Sequence, residues 1–325
     1  MAHTSIHSPF RYAGGKYYAR KLILEHLPPH THYIEPFAGG ASIFFAKQKA
    51  KVNQLNDKDS DLVNVYQAIR DFPDQLIDFL TINEKSMEFL PSTYIEGEIL
   101  GNPIPAKKEL HTFFKKEFKP TNSIEEAGRW FYLNRTSYSG IMNNKNMYWG
   151  YGAKYSMQPK NWPANIRRTS KKLQDVELTV QDFETVIDNA PDNALLFIDP
   201  PYFNADQDKF YSCSFDKEDH YRLEKCLKRN SNRLQLFITY DNTDEIRQLY
   251  NWMIEMHDKE WNYCIQRTDD QKNGTEKKGS RYKGKELFIL NFQTIEEASE
   301  LIPTAKQGHI PFPEIIDNNT VDLVA

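Results

Sequence analysis

Apolar residues recur along this chain with two different periods, and the switching between them predicts most of the architecture. The run Ala194-Leu195-Leu196-Phe197-Ile198 is apolar at every position and predicts a strand buried on both faces over 194–199. Between 32 and 70 the pattern reads strand, helix, strand, helix, with a helix over 42–50 and a strand over 52–57. From 72 to 135 the spacing is helical, most clearly over 76–80, 106–118 and 123–134. Alternation returns with strands over 176–181 and 234–240 and helices over 182–189, 216–228 and 243–250. Two further strands, 262–267 and 286–292, flank a glycine- and lysine-containing segment. The fold class expected is therefore α/β, a doubly wound sheet interrupted by a mostly helical insertion. Residues 1–70 and 172–297 would form one discontinuous domain, 71–171 the insertion, and 298–325 a tail without periodicity.

Composition narrows the setting. No apolar run is long enough to cross a membrane, and the polar N-terminal stretch is unlike a signal peptide. Cys213, Cys226 and Cys264 are too few and too scattered for a disulfide framework or a metal centre. A cytoplasmic protein with reduced thiols is expected. His26, His30 and His32 surround Pro28-Pro29 and read as a surface turn.

Three segments carry candidate chemistry. The first is Asp199-Pro200-Pro201-Tyr202, directly after the apolar strand. The prolines end the ladder, which leaves a carboxylate, a carbonyl and an aromatic face at the carboxyl end of the sheet, where ligands of open α/β folds bind. Two acceptors beside a stacking face suit an exocyclic amine on an aromatic base. An ordinary turn with a surface Asp would carry the same four residues. The second segment, Glu35-Pro36-Phe37-Ala38-Gly39-Gly40, reads as a strand followed by a glycine loop, with Asp57 at the end of the next strand. An acid about 20 residues beyond such a loop reaches ribose hydroxyls in nucleotide-binding units. Neither a dinucleotide fingerprint nor a phosphate loop is present, so a nucleoside without a polyphosphate is expected. The third, Arg11-Tyr12-Ala13-Gly14-Gly15-Lys16, could cover a small ligand bearing a carboxylate, or be a plain N-terminal arm.

In this order, and together with Phe131-Tyr132-Leu133-Asn134-Arg135 and Asp182-Phe183, these segments resemble the class D12 DNA N6-adenine methyltransferases, the Dam-like enzymes. The resemblance extends over positions 9–202 and more weakly to Ser214-Phe215 and Lys285-Glu286-Leu287. It implies a Rossmann-like methyltransferase sheet with an inserted DNA-recognition domain, S-adenosylmethionine as cofactor, and double-stranded DNA as substrate. By that resemblance Asp199, Pro200 and Tyr202 are catalytic. Tyr12, Lys16, Phe37, Ala38, Gly39, Gly40, Asp57, Asp182, Phe183 and Asp199 hold the cofactor, with Lys16 on its carboxylate. Arg135 and Tyr138 contact DNA. A sulfonium methyl is already electrophilic, so the reaction requires no metal. A separate restriction endonuclease would be a natural companion, and the enzyme would act as a monomer. Members that read GATC carry a guanine-reading Arg where this chain has Ile141-Met142-Asn143-Asn144-Lys145, which makes Asn143 and Lys145 candidate DNA contacts and argues against GATC as the target.

Charge supports a nucleic-acid substrate independently. The net charge is −4, yet positions 127–174 contain no Asp or Glu, and their Lys and Arg are interleaved with Trp and Tyr. A basic solvated face would look similar. The segment 269–285 is a second basic candidate, reading either as a DNA-contacting hairpin tip or as a solvated loop. Three other functions compete: N4-cytosine methylation, whose enzymes usually carry Ser at the position of Asp199; methylation of RNA or protein; and a catalytically silent DNA-binding module.

Overall fold

The computed structural model describes residues 6–12, 14–154, 156–203, 215–262 and 283–293. Among these, seven strands form one sheet: β1 (His32–Glu35), β2 (Val52–Asn56), β3 (Val176–Thr179), β4 (Leu195–Ile198), β5 (Gln235–Asp241), β6 (Glu255–Asn262) and β7 (Lys283–Leu290). Their order is β3-β2-β1-β4-β5-β7-β6. All neighbours pair in parallel except β7, which is antiparallel to both β5 and β6. The chain winds outward from β1 in one direction and from β4 in the other. The β1–β4 boundary is thus a topological switch point, where the loops diverge and leave a crevice.

Strand alternation sorts the core into two layers. Tyr33, Leu195, Phe197, Phe237 and Phe288 face one side and share a cluster with Val65, Ile69, Phe114, Phe131 and Trp162. Ile34, Leu196, Ile198, Ile238, Leu287 and Ile289 face the other and pack on Val186, Ile187, Leu223, Leu227 and Ile246. Helix Ser60–Asp71 lies in the first layer and bridges sheet to insertion. Asp59 caps its N-terminus by accepting from Asp61 N and Leu62 N, a contact worth about 1 kcal/mol. The inserted helices Pro73–Phe79, Lys108–Lys116, Ser123–Thr136 and Trp162–Leu173 continue the same apolar cluster. Trp162 is fully buried there, and its truncation to Ala would cost about 3–5 kcal/mol.

Some boundaries differ from the sequence pattern. The strand expected over 262–267 is β6, Glu255–Asn262, and 263–267 lies outside the described residues. Glu-Met-His-Asp-Lys-Glu-Trp-Asn is too polar to read as a strand, but as the sheet edge it pairs through its backbone with β7. The helix expected over 42–50 stops at Ala46. Helices Arg20–Glu25 and Trp162–Leu173 were not foreseen, while Glu84–Phe89 and Ser92–Ile95 fall within the helical reading of 72–135 without having been singled out. The tail 298–325 and positions 269–282 lie outside the described residues, while 283–285 belong to β7.

Candidate active site

The loops after β1, β2 and β4 and the N-terminal arm converge on one cleft at the switch point, lined by Tyr12, Lys16, Phe37, Ala38, Gly39, Gly40, Asp57, Phe183, Asp199, Pro200 and Tyr202. Eleven of the twelve residues named from the sequence as catalytic or cofactor-binding are therefore brought together. Asp182 is the one left out.

The glycine loop explains why the arm and the β1 segment occur together. Gly39 has φ of +47°, and a Cβ there would fall 2.9 Å from Tyr12 Cε1. At Gly40 a Cβ would also fall 2.9 Å from Tyr12 Cβ. Tyr12 thus lies directly on the loop, which is possible only over bare backbone. The Gly39 carbonyl accepts from the buried Tyr66 hydroxyl at 2.9 Å, and Gly39 N donates to Asp57 Oδ2 at 2.8 Å. The following helix, Ser42–Ala46, is only five residues long, so its dipole adds little to the site.

Asp57 follows β2, the parallel neighbour of β1. Its second oxygen accepts from Asp59 N at 3.0 Å. Burial raises its carboxyl to about 6 against the pull of these backbone N–H groups. Asn56 ties the neighbouring loops together, donating to Pro36 O and Gln181 O. Phe183 forms the far wall with Phe37 and Phe215. Asp182, expected beside it in the cofactor site, instead caps helix Phe183–Asn189 through Glu184 N and pairs with Arg222 at 3.1 Å. Its carboxylate is committed to the helix end, and Gln181 and Phe183 line the cleft in its place.

Asp199 follows β4. The β4–β5 register sets Ile198 against Ile238, so Asp199 lies level with Thr239 on the face that also carries Phe197. Thr239 Oγ1 donates to Asp199 Oδ1 at 2.8 Å. Lys16 Nζ donates to the same oxygen at 2.6 Å and to Gly14 O at 3.3 Å. Lys16 is buried, and its ammonium stands 4.8 Å from the centre of the Tyr202 ring. The arm's lysine therefore holds the Asp199 carboxylate, a contact the sequence pattern did not suggest. Glu286 on β7 lies level with Asp241 on β5, and its Oε2 is 3.9 Å from the same ammonium. Burial lifts the Glu286 carboxyl to about 8, opposed by Lys16 and reinforced by Asp199. Thr239 was missed, and Glu286 was matched only within Lys285-Glu286-Leu287 with no role given, because their place in the site comes from strand register.

The expected DNA contacts separate into two groups. Arg135 is 5% exposed and donates to Pro9 O at 3.3 Å. Burial lowers its guanidinium to about 10. It anchors the arm and is not displayed to a ligand, contrary to the expectation for a DNA contact. Asn134 does the same through both amide atoms, accepting from Arg11 N and donating to Arg11 O. Tyr138, by contrast, is 48% exposed, and Tyr138 N donates to Tyr148 O across a hairpin closed by Gly150 N to Thr136 O. Tyr148 is exposed on the same hairpin. Gly140 has φ of +70°, and a Cβ there would fall 2.2 Å from Arg11 O, so the hairpin is clamped against the arm. Between the tyrosines, Asn143 Oδ1 accepts from Lys145 N and Lys145 is exposed. Much of the acid-free tract is interior. Trp130, Trp162 and Lys172 are buried, and Arg129 donates to Phe114 O. Lys145, Lys154, Lys160, Arg167, Arg168 and Lys171 remain exposed.

Residues 12–265 match the family model described as D12 class N6 adenine-specific DNA methyltransferase. The chain is 27% identical over 305 residues to the Type II methyltransferase M1.LlaDCHI of Lactococcus lactis subsp. cremoris, covering 87% of this chain and 95% of that protein. It is 30% identical over 275 residues to the Type II methyltransferase M.CviBI of Paramecium bursaria Chlorella virus NC1A, covering 82% and 95%. It is 25% identical over 196 residues to the DNA adenine methylase of Escherichia coli (strain K12), covering 59% and 63%. The match takes in the arm, the glycine loop, Asp57 and Asp199 alike, and this chain belongs to the D12 class of N6 adenine-specific DNA methyltransferases.

Proposed function

We propose that Asp199 is the acceptor that activates the N6 amine of an adenine turned out of duplex DNA, with S-adenosylmethionine as methyl donor. The observation that carries this reading is the placement of the Asp199 carboxylate at the end of a central strand, fixed by Lys16 and Thr239 and followed by Tyr202. The N6 lone pair is delocalised into the purine ring and is a poor nucleophile. Asp199 and the Pro200 carbonyl would accept the two amine hydrogens and stabilise the charge that grows on nitrogen during attack. Inside a duplex that amine is out of reach, so the base must leave the stack, and Tyr202 offers it a face. When bound, the cofactor supplies a methyl group on a positively charged sulfur.

The cleft has the right donor set for that cofactor. Asp57 presents a carboxylate for a ribose diol, and Phe37 and Phe183 supply apolar walls for a purine. The bare Gly39–Gly40 backbone leaves room for close approach, and the Lys16 ammonium in the same cleft would meet a carboxylate. On the DNA side, the exposed Tyr138 and Tyr148, with Asn143 and Lys145 between them, form a hairpin suited to enter or flank the duplex. The absence of an Arg at 141–145 favours a target other than GATC. The Type II names of two relatives support pairing with a separate restriction endonuclease, and a cytoplasmic monomer is part of the same reading. No helix among the described residues is long and apolar enough to cross a membrane. The test is transfer of labelled methyl from S-adenosylmethionine to plasmid DNA. Asp199→Ala should keep DNA binding and lose transfer, and retention of more than a tenth of wild-type turnover would remove Asp199 from this role.

A further inference from the structure

Glu286 has no part in the scheme above, yet it is fully buried against its centre. Strand β7 returns antiparallel to β5 and sets Glu286 opposite Asp241, two positions beyond the Thr239 that holds Asp199. On the other side, Lys259 of β6 is level with it. Its Oε2 lies 3.9 Å from the Lys16 ammonium, which is already bound to Asp199 at 2.6 Å. The Tyr202 side chain favours the ionised form of the same carboxyl. One ammonium is therefore shared between two carboxyl groups, one facing the target amine and the other sealed beneath it. Shape alone does not require an ionisable group at a fully buried strand position; a leucine would fill it at lower desolvation cost.

We propose that Glu286 is a positioning residue for methyl transfer, competing with Asp199 for the Lys16 ammonium and so setting how freely Asp199 can accept the adenine amine. This rests on the reading of Asp199 given above. When Glu286 is neutral, Lys16 stays on Asp199 and occupies an oxygen that the amine needs. When Glu286 is ionised, the ammonium is drawn toward it and Asp199 is released. The groups around Glu286 set the balance: Lys16 and Tyr202 favour its ionised form and Asp199 and Asp241 oppose it, while Lys259, level with it on β6, stands over the Phe288 ring. Burial puts its titration near 8, so the change falls in an accessible range.

The experiment is single-turnover methyl transfer, with enzyme in excess over duplex DNA and saturating S-adenosylmethionine, from pH 6.5 to 9.5. Wild type and Glu286→Gln are compared, and cofactor affinity and Tm are measured alongside. Gln has the shape of the neutral carboxyl and cannot ionise. The wild-type rate constant should climb about tenfold as pH rises through 8. Glu286→Gln should match wild type within threefold at pH 6.5 and then stay flat. Glu286→Asp retains an ionisable group and should recover part of the rise. A Glu286→Gln profile that follows wild type at every pH would overturn the proposal. So would a uniform loss of rate at every pH accompanied by a lower Tm, the signature of a purely structural residue. Absence of methyl transfer by wild type would instead count against the role of Asp199 itself.

Discussion

Tyr12 lies so close over Gly39 that a single methyl group added to that glycine would stand 2.9 Å from the tyrosine ring. The arm and the glycine loop are consequently one structural unit, although 26 positions separate them. Gly39→Ala must displace Tyr12 and also hold an alanine at φ of +47°, which by itself costs about 1–2 kcal/mol. S-adenosylmethionine affinity, measured by calorimetry, should fall at least about tenfold. Gly97→Ala, at a comparable φ but with open space around it, should leave affinity unchanged.

Asp57 should make cofactor binding pH-dependent. Its carboxyl is raised to about 6 by burial, and only the ionised form is a full acceptor for ribose hydroxyls. Affinity should be constant above pH 7 and weaken as pH falls through 6, approaching tenfold per unit for one proton. Asp57→Asn should bind more weakly and lose that slope between pH 5 and 7. A wild-type affinity that is flat over the same range would show that Asp57 does not contact the cofactor.

Arg135 should behave as an internal strut. Removing its guanidinium leaves the Pro9 carbonyl without this donor at a buried site, which costs about 1–3 kcal/mol. Arg135→Ala should lower Tm by several degrees, while the salt dependence of DNA binding keeps its wild-type slope. A slope reduced by about one would instead place Arg135 on a phosphate. Tyr138→Ala should show the opposite behaviour, with Tm nearly unchanged and methyl transfer to duplex DNA impaired.

Glu35 provides a pH test of stability. It is buried, accepts from Tyr33 Oη and Phe44 N, and is raised by burial to about 8. A carboxyl raised on folding binds more protons in the native state between its unfolded and folded values. Its stabilising contribution is therefore complete below about pH 4.5 and is lost as pH climbs toward 8. Glu35→Gln should raise Tm relative to wild type at pH 8 more than at pH 5, as seen by calorimetry.

The parts of the site that could be read from the sequence are those encoded locally. Asp199 follows an unbroken apolar run and precedes two prolines, and Gly39-Gly40 follows a short strand, so both announce themselves. Thr239 does not, and Glu286 shows only within the weakly matching Lys285-Glu286-Leu287, because one reaches Asp199 through parallel register and the other through an antiparallel return strand. Arg135 was expected on DNA from the resemblance, and no local signal marks it as buried. Its helix instead lies under the arm, and the tract supplies interior rings such as Trp130 and Trp162. Asp182 was expected in the cofactor site from the resemblance, and an acid before a helix serves equally as a cap, the role it has here. Strand β6 was displaced because an edge strand needs only backbone partners and shows no apolar alternation.

The most direct test is to sequence DNA from cells expressing this chain by a method that detects modified bases, beside cells expressing Asp199→Ala. The wild-type chain should place N6-methyladenine within one short duplex sequence other than GATC, and Asp199→Ala should place none. Unmodified adenine in wild-type DNA, or N4-methylcytosine in its place, would contradict the account.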